Sequence, residues 1–172
     1  MSVSGSDWLE GKRFSLIGKS LAIGVALCQQ GAQPAEGDDA DILVHVADPP
    51  AHRPTHELAH EDWRDTLDAG LDQRFQAAQA FAAARRGAGG AGAILFVGAP
   101  EQALGSDHAA AAGALVNLTK TLSVEWARDG IRVNTVLTRS DGATLGNLAA
   151  YLVSDYAAYV TGAIMGIDGN DR

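Results

Sequence analysis

The sequence is poor in cysteine and in aromatic residues, and each shortage excludes a class of protein. Cys28 is the single cysteine among 172 residues, so an internal disulfide is impossible and a reducing compartment is the natural setting. Aromatic residues make up 6% of the chain and hydrophobic residues 47%, so the apolar content is mainly aliphatic. This composition is typical of helices packed on a parallel sheet, with Cys28 expected as a buried core thiol.

Basic residues are scarce as well, and long apolar runs are absent. The formal net charge of −8 would repel phosphate backbones, which disfavours a nucleic-acid partner. No apolar stretch reaches the ~18 residues needed to span a bilayer. Residues 1–7 lack the basic and apolar segments of a signal peptide. We therefore expect a cytoplasmic chain that binds neither a membrane nor nucleic acid.

Short apolar runs alternate with helical patterns along the chain. The predicted strands are residues 13–17, 41–46, 93–97, 131–137 and 159–167. Apolar spacing predicts helices over residues 19–31, 61–86, 106–128 and 144–154, with Ser106 capping the third. Such alternation gives a parallel sheet with helices on both faces. The sequence thus predicts one α/β, Rossmann-like domain over residues 1–172, with about five strands.

Several segments, taken in order, resemble the short-chain dehydrogenase/reductase family. They are the strand entry at 9–13, the glycine turn at 18–24, the strand at 41–44, the helix and strand at 115–120 and 130–134, and the C-terminal segments at 159–162 and 167–169. Together they cover about residues 9 to 170. The resemblance implies the family's fold, and it also shows where this chain departs from the family's pattern.

The first departures concern the cofactor. The family's glycine turn carries three glycines, and here Gly18 and Gly24 remain while Ala22 replaces the middle one. That glycine lets the backbone approach a pyrophosphate closely, so one methyl group matters. The short distance from Gly31 to Asp41 leaves no room for the family's second and third strands, which form the wall around the adenine. We therefore expect a degenerate turn that binds no cofactor.

The catalytic positions that the resemblance implies have changed too. Gly98 and Ala99 stand at the place of the family's serine, His108 at its tyrosine and Ala112 at its lysine, and Gly70 replaces the helix asparagine. A tyrosine beside a lysine ammonium moves the proton in this family's reaction. Without these groups nothing stabilises developing charge, so the chain is expected to have no catalytic residue and to be no enzyme by itself.

These losses predict a pseudoenzyme, a non-catalytic subunit that assembles with an active, full-length dehydrogenase and stabilises it. The chain resembles inactive subunits of heterotetrameric dehydrogenases such as the benzylsuccinate-pathway hydroxyacyl-CoA dehydrogenase, which makes a hydroxyacyl-CoA one candidate substrate of the partner. The expected interface lies on the two long helices and the last strand. Its candidate residues are Trp63, Phe75, Leu118, Leu122, Trp126, Tyr159, Val160, Ile164 and Met165.

A different class of function stays open beside this one. The chain could be a small enzyme or ligand-binding protein with a remodelled site around His45, Asp48 and His108. A metal site is not expected. His52, His56 and His60 are spaced by four, but Pro54 separates the first from any helix, so they indicate a solvated helix start.

Overall fold

A computed structural model describes residues 7–35, 39–47, 54–100 and 105–167, and these residues form one parallel sheet covered by helices. The strand order in the described sheet is β2-β1-β3-β4-β5-β6. The strands are β1 (Arg13–Ile17), β2 (Gln33–Pro34), β3 (Ile42–Val46), β4 (Gly92–Gly98), β5 (Ile131–Thr138) and β6 (Ile164–Ile167). The helices are α1 (Leu21–Gln29), α2 (His60–Leu67), α3 (Gln73–Gly87), α4 (Ser106–Glu125) and α5 (Ala143–Val153).

Alternating side chains of the central strands divide the core into two layers. In β4, Leu95 and Val97 pack with α1 and α5, whereas Ile94 and Phe96 pack with α3 and α4. Both faces of the sheet are therefore buried, which explains why β3 and β4 are almost continuously apolar. The predicted Rossmann-like α/β fold with helices on both faces is confirmed. In the part of the chain described, no helix is both long and apolar enough to cross a membrane.

The predicted helix over residues 61–86 contains an irregular turn. Residues Asp68–Asp72 form a π-helical segment between α2 and α3. Gly70 lies in this segment, and a Cβ built there would stand 2.8 Å from the Cβ of Ala111 in α4. The missing side chain of Gly70 thus lets α4 pack closely against this helix near the carboxyl edge of the sheet.

The sheet formed by the described residues has six strands instead of about five, because a short second strand is present. Gln33 and Pro34 pair with Arg13 and Phe14 at the outer edge of β1, in a segment predicted as a loop. Two backbone hydrogen bonds hold it, from Gln33 N to Lys12 O and from Ala35 N to Phe14 O. Proline fits there because an edge strand tolerates a residue without an N–H. The loss of the family's second strand is therefore only partial.

The first helix turns Cys28, which was expected in the core, to the surface. Ile23, Ala26 and Leu27 are buried, whereas Leu21 is 79% exposed and Cys28 is also on the surface. The expected buried thiol is thus wrong. Nearly every residue of α1 is apolar, so periodicity could not distinguish the face that packs on the sheet and α5 from the face that does not.

Two smaller predictions also fail at helix and strand ends. Ser106 is the first residue of α4, and the N-cap is Gly105, without a side-chain hydrogen bond. The last strand begins at Ile164 instead of residue 159, because side chains of β5 bind the backbone of the preceding segment. Asn134 Nδ2 donates to Val160 O at 2.9 Å, and Ala163 N donates to Asn134 Oδ1 at 3.0 Å.

Candidate functional site

The carboxyl ends of four parallel strands meet at one edge of the sheet. β1 is followed there by Gly18, β3 ends at Val46, β4 at Gly98 and β5 at Thr138. In open α/β sheets, ligands bind in the crevice outside this edge. The helices α1 and α4 begin near it, so their first residues complete the candidate site.

The turn between β1 and α1 is built around Gly18. Its φ is 85°, and a Cβ built on it would collide with the carbonyl oxygen of Val46 at the end of β3. Only glycine adopts this conformation without strain and also allows such an approach. Ser20 then caps α1, because its buried hydroxyl oxygen accepts from Ile23 N at 3.1 Å.

A carboxylate from the β5–α5 connection lies on the start of α1. The hydroxyl of Ser20 donates to Asp141 Oδ1 at 2.5 Å, and the backbone N–H of Leu21 donates to Asp141 Oδ2 at 3.1 Å. α5 packs tightly beside this point, since a Cβ built on Gly146 would lie 2.5 Å from the carbonyl oxygen of Ala22. The donors at the start of α1 thus have a partner from the chain itself.

A second carboxylate, Asp107, is buried in the first turn of α4 and is only 4% exposed. The hydroxyl of Thr66 donates to its Oδ2 at 2.8 Å, and Nε2 of His108 lies 3.9 Å from the same oxygen. Burial by itself raises the pKa of Asp107, but hydrogen bonds from Thr66 and from the His108 backbone, with the charge of His108, lower that pKa overall. Asp107 therefore remains a carboxylate at neutral pH.

Asp107 and His108 line a cavity between α2 and the start of α4. Its volume is about 270 Å³, and the cavity is open to solvent on one side. Three carboxylates face it, so it suits a neutral or cationic group better than an anion. The lining residues are Leu58, Asp62, Asp65, Thr66, Ala69, Asp107 and His108.

A buried cation lies beneath the end of β4. Arg74 is 2% exposed, and its Nη2 donates to Val97 O at 2.9 Å. Burial lowers the pKa of Arg74 to about 10, so the guanidinium stays protonated at neutral pH. A Cβ built on Gly98 would lie 3.5 Å from Arg74 Nη1, which places the charge close to this strand end.

Sequence reasoning missed Asp107, Asp141 and Arg74. One signal for Arg74 was available, because an arginine three residues after Leu71 and four before Ala78 falls on the apolar stripe of its helix. The two aspartates carried no such signal. Their roles depend on contacts with Thr66 and Ser20, which lie 41 and 121 residues away in the chain.

Of the predicted remodelled site, the structure describes His45 and His108. His45 is buried in β3, and His108 lies on α4 beside Asp107. Asp48, like His52, is outside the described residues. His56 belongs to a separate 3₁₀ turn and His60 begins α2, so they do not share one helix. Within the described ranges, no group of three or more His, Cys, Asp or Glu side chains could hold a metal ion.

The interface candidates divide into surface and core residues. Leu122 and Trp126 are buried in the chain's own core against β4 and β5, so they cannot form a subunit surface and this part of the prediction is wrong. Phe75 is 41% exposed and Tyr159 fully exposed. The remaining candidates are partly exposed: Trp63, Leu118, Val160, Ile164 and Met165.

Comparison with known proteins identifies the family. A family profile described as enoyl-(acyl carrier protein) reductase matches residues 32–140. Cis-4-hydroxycyclohexanecarboxylate dehydrogenase from Sinomonas cyclohexanicum is 32% identical over 78% of this chain and 67% of its own length. A short-chain type dehydrogenase/reductase from Mycobacterium marinum shares the fold with a TM-score of 0.86 at 22% identity, over 98% of both chains. The chain belongs to the short-chain dehydrogenase/reductase family.

The relatives bear on the expected lack of activity and on how much of the family's usual length this chain spans. Galactitol 2-dehydrogenase from Cereibacter sphaeroides, 30% identical over 74% of this chain and 64% of its own length, is named as an enzyme like the others. These names contradict the expectation that the chain is no enzyme by itself and point to an oxidoreductase. Across four curated relatives, the chain spans 67%, 65%, 64% and 59% of their length.

A nicotinamide dinucleotide is the cofactor that membership of this family implies. A putative 2-deoxy-d-gluconate 3-dehydrogenase from Agrobacterium Tumefaciens with bound NADP shares the fold at a TM-score of 0.81 and 23% identity. In this chain, however, the start of α1 does not fit a pyrophosphate. The carboxylate of Asp141 already accepts from the Leu21 N–H and the Ser20 hydroxyl, and it would repel a second anion.

Proposed function

We propose that the chain is an oxidoreductase subunit that works on a secondary alcohol or the corresponding ketone, in an assembly with a full-length member of its family. The activity class comes from its relatives, which include D-threitol dehydrogenase from Mycolicibacterium smegmatis at 29% identity. The non-catalytic role expected from the sequence is not retained. The partner is proposed from the surface beside β6, an outer strand of the described sheet that another chain could cover.

The observation that carries the assembly is the surface beside β6. In the described part of the sheet, β6 is an outer strand, and its residues are only partly buried. Tyr159, five residues before this strand, is 100% exposed. An exposed strand edge with an aromatic side chain beside it is a template for association unless another chain covers it. A closed two-fold assembly, with two copies of each subunit, would cover it on both copies.

The test is co-expression of this chain with a full-length family member encoded in the same genome. We expect one complex by size-exclusion chromatography with light scattering. It should oxidise at least one compound in a panel of polyols, cyclic secondary alcohols and a hydroxyacyl-CoA. The variant Tyr159→Ser should weaken the complex. Leu21→Ser, which removes another exposed apolar side chain on α1, should not. Equal effects of both variants would argue against the β6 surface.

A remodelled site on this chain is the second candidate, and the pair of Asp107 and His108 favours it. A buried carboxylate 3.9 Å from Nε2 of an imidazole can orient that ring and stabilise its protonated form. His108 also borders the cavity of about 270 Å³ described above. In this candidate, His108 exchanges a proton with the alcohol or carbonyl oxygen of the substrate.

His108→Gln in the assembled complex tests this second candidate. A positioned acid/base is worth roughly 10²–10⁴-fold in rate, so kcat should fall by at least a hundredfold if His108 transfers the proton. His60→Gln is the matched control, because His60 lies at the start of α2 and does not line this cavity. Unchanged kcat in His108→Gln would remove this candidate and leave the assembly proposal intact.

A further inference from the structure

The chain itself supplies acceptors for several donors at the start of α1. Two of the donors available there, the Leu21 N–H and the Ser20 hydroxyl, both point to the carboxylate of Asp141. A third donor, the N–H of Ile23, bonds to the Ser20 hydroxyl oxygen. The first N–H groups of a helix have no acceptor within the helix. Here the side chain of Asp141, 120 residues away, accepts from one of these N–H groups.

The loop that carries Asp141 is held in place from both sides. Thr138, the last residue of β5, accepts from Ser140 N at 3.1 Å and donates to Ser140 O at 3.3 Å through its hydroxyl. Directly after Asp141, Gly142 caps α5, and α5 packs on α1 through Gly146. The carboxylate is therefore fixed between β5, α5 and α1, although the side chain itself is exposed to solvent.

The chemistry of this contact bears directly on which ligands can bind. The start of a helix carries a partial positive charge and attracts anions. A phosphate group bound at this point would need the donors that Asp141 uses, and it would meet a like charge within about 4 Å. Both effects disfavour phosphate, whereas the repulsion does not act on a ligand without negative charge.

We propose that Asp141 is an internal anion that excludes phosphate-bearing ligands, dinucleotides included, from the start of α1. Asp141 is thus a specificity-determining residue of the carboxyl edge. The proposal rests on the contacts of Asp141 and not on the assembly with a partner. Its failure would leave the proposed function standing.

Calorimetric titration of the purified chain with inorganic pyrophosphate, NAD and NADP tests it. The wild type should bind none of them below millimolar concentration. Asp141→Asn keeps the shape and an acceptor oxygen but removes the charge, so pyrophosphate should bind at least about tenfold more tightly. The gain should shrink as salt rises. Glu125→Gln, which changes the net charge equally at the exposed end of α4, should behave like the wild type.

Two results would overturn the proposal. One is micromolar binding of a dinucleotide to the wild type, and the other is an Asp141→Asn variant with unchanged affinity for pyrophosphate. If that variant does not fold, Asp141→Ser serves in its place. An NMR titration of the wild type gives an independent reading, because pyrophosphate should leave the amide resonance of Leu21 unmoved. A saturable shift of that resonance at submillimolar pyrophosphate would contradict the account.

Discussion

At the scale of single residues, Gly18 shows how one missing side chain holds the edge of the sheet together. Its backbone passes so close to Val46 that a methyl group would collide with that carbonyl oxygen. Gly11 provides a matched comparison, because its φ of 74° is similar to the 85° of Gly18 and nothing lies within 4 Å of a Cβ built there.

We predict that Gly18→Ala destabilises the fold much more than Gly11→Ala. Gly11→Ala should cost about 1–2 kcal/mol, the strain of an L residue in the left-handed region. Gly18→Ala adds the collision with Val46, so its free energy of unfolding should fall by at least twice as much. Urea denaturation of the two variants and the wild type measures both values. Equal losses would mean that the approach of Gly18 to β3 is not tight.

Asp107 should make stability depend on pH. Its folded-state pKa lies below the ordinary value of 3.8. Its contribution is therefore present above the unfolded pKa and is lost as pH falls through the folded pKa. The difference in unfolding free energy between the wild type and Asp107→Asn should thus shrink from pH 5 to pH 3. A difference that stays constant or grows on acidification would show that Thr66 and His108 do not stabilise the carboxylate.

Where a side chain lies in the folded chain was harder to predict than which residues form a turn. The sequence correctly predicted Gly18 as a turn residue, because a glycine between a buried strand and a helix usually forms the turn that joins them. Arg74 and Asp107 were missed because burial of a charged side chain depends on its tertiary partners. Leu122 and Trp126 were wrongly placed on a surface, since an apolar residue in or directly after a helix that covers a sheet can face the sheet or the surface.

At the scale of elements, Arg132 connects β5 to the segment that leads into β6. Its Nη1 donates to Leu152 O at 2.6 Å and to Val160 O at 3.3 Å, and its Nη2 donates to Ser154 O at 3.0 Å. Burial lowers the pKa of Arg132, although the charge of Asp155 partly counters this. The guanidinium thus orders the backbone that presents Tyr159.

We predict that Arg132→Lys destabilises the fold by about 2 kcal/mol, because an ammonium cannot reproduce three forked hydrogen bonds from a charged donor. Amide hydrogen exchange should also rise in residues 154–163. Arg128→Lys is the control, since Arg128 is exposed in the short turn after α4. An Arg132→Lys variant with wild-type exchange in this segment would show that the bonds of Asn134 and of the β5 backbone order it without the guanidinium.

The strands and helices themselves were largely predictable. β1 was predicted with its exact bounds, and β3, β4 and β5 to within about one residue at each end, because buried parallel strands are continuous apolar runs. β2 was missed because two residues give no pattern. The last strand was drawn too long, since residues 159–163 are held to β5 by side chains of Arg132 and Asn134 together with a few backbone hydrogen bonds, and not by a regular strand ladder.

At the scale of the whole molecule, Asp141 and Tyr159 lie at two different edges of the same sheet. We propose that Asp141 at the carboxyl edge restricts the ligands of this chain and that Tyr159 beside β6 contacts another subunit. A net charge of −8 keeps the molecule from binding other anionic surfaces without specificity. The proposed association with a partner uses the exposed apolar ring of Tyr159.

The measurement that tests the central claim most directly is native mass spectrometry of the co-expressed complex, combined with turnover on the alcohol panel. We expect a closed assembly with two copies of this chain and two of a full-length family member. Its turnover should fall by at least tenfold when Tyr159→Ser releases this chain. A chain that stays monomeric beside every full-length relative, or a complex whose turnover does not depend on this chain, would contradict the account.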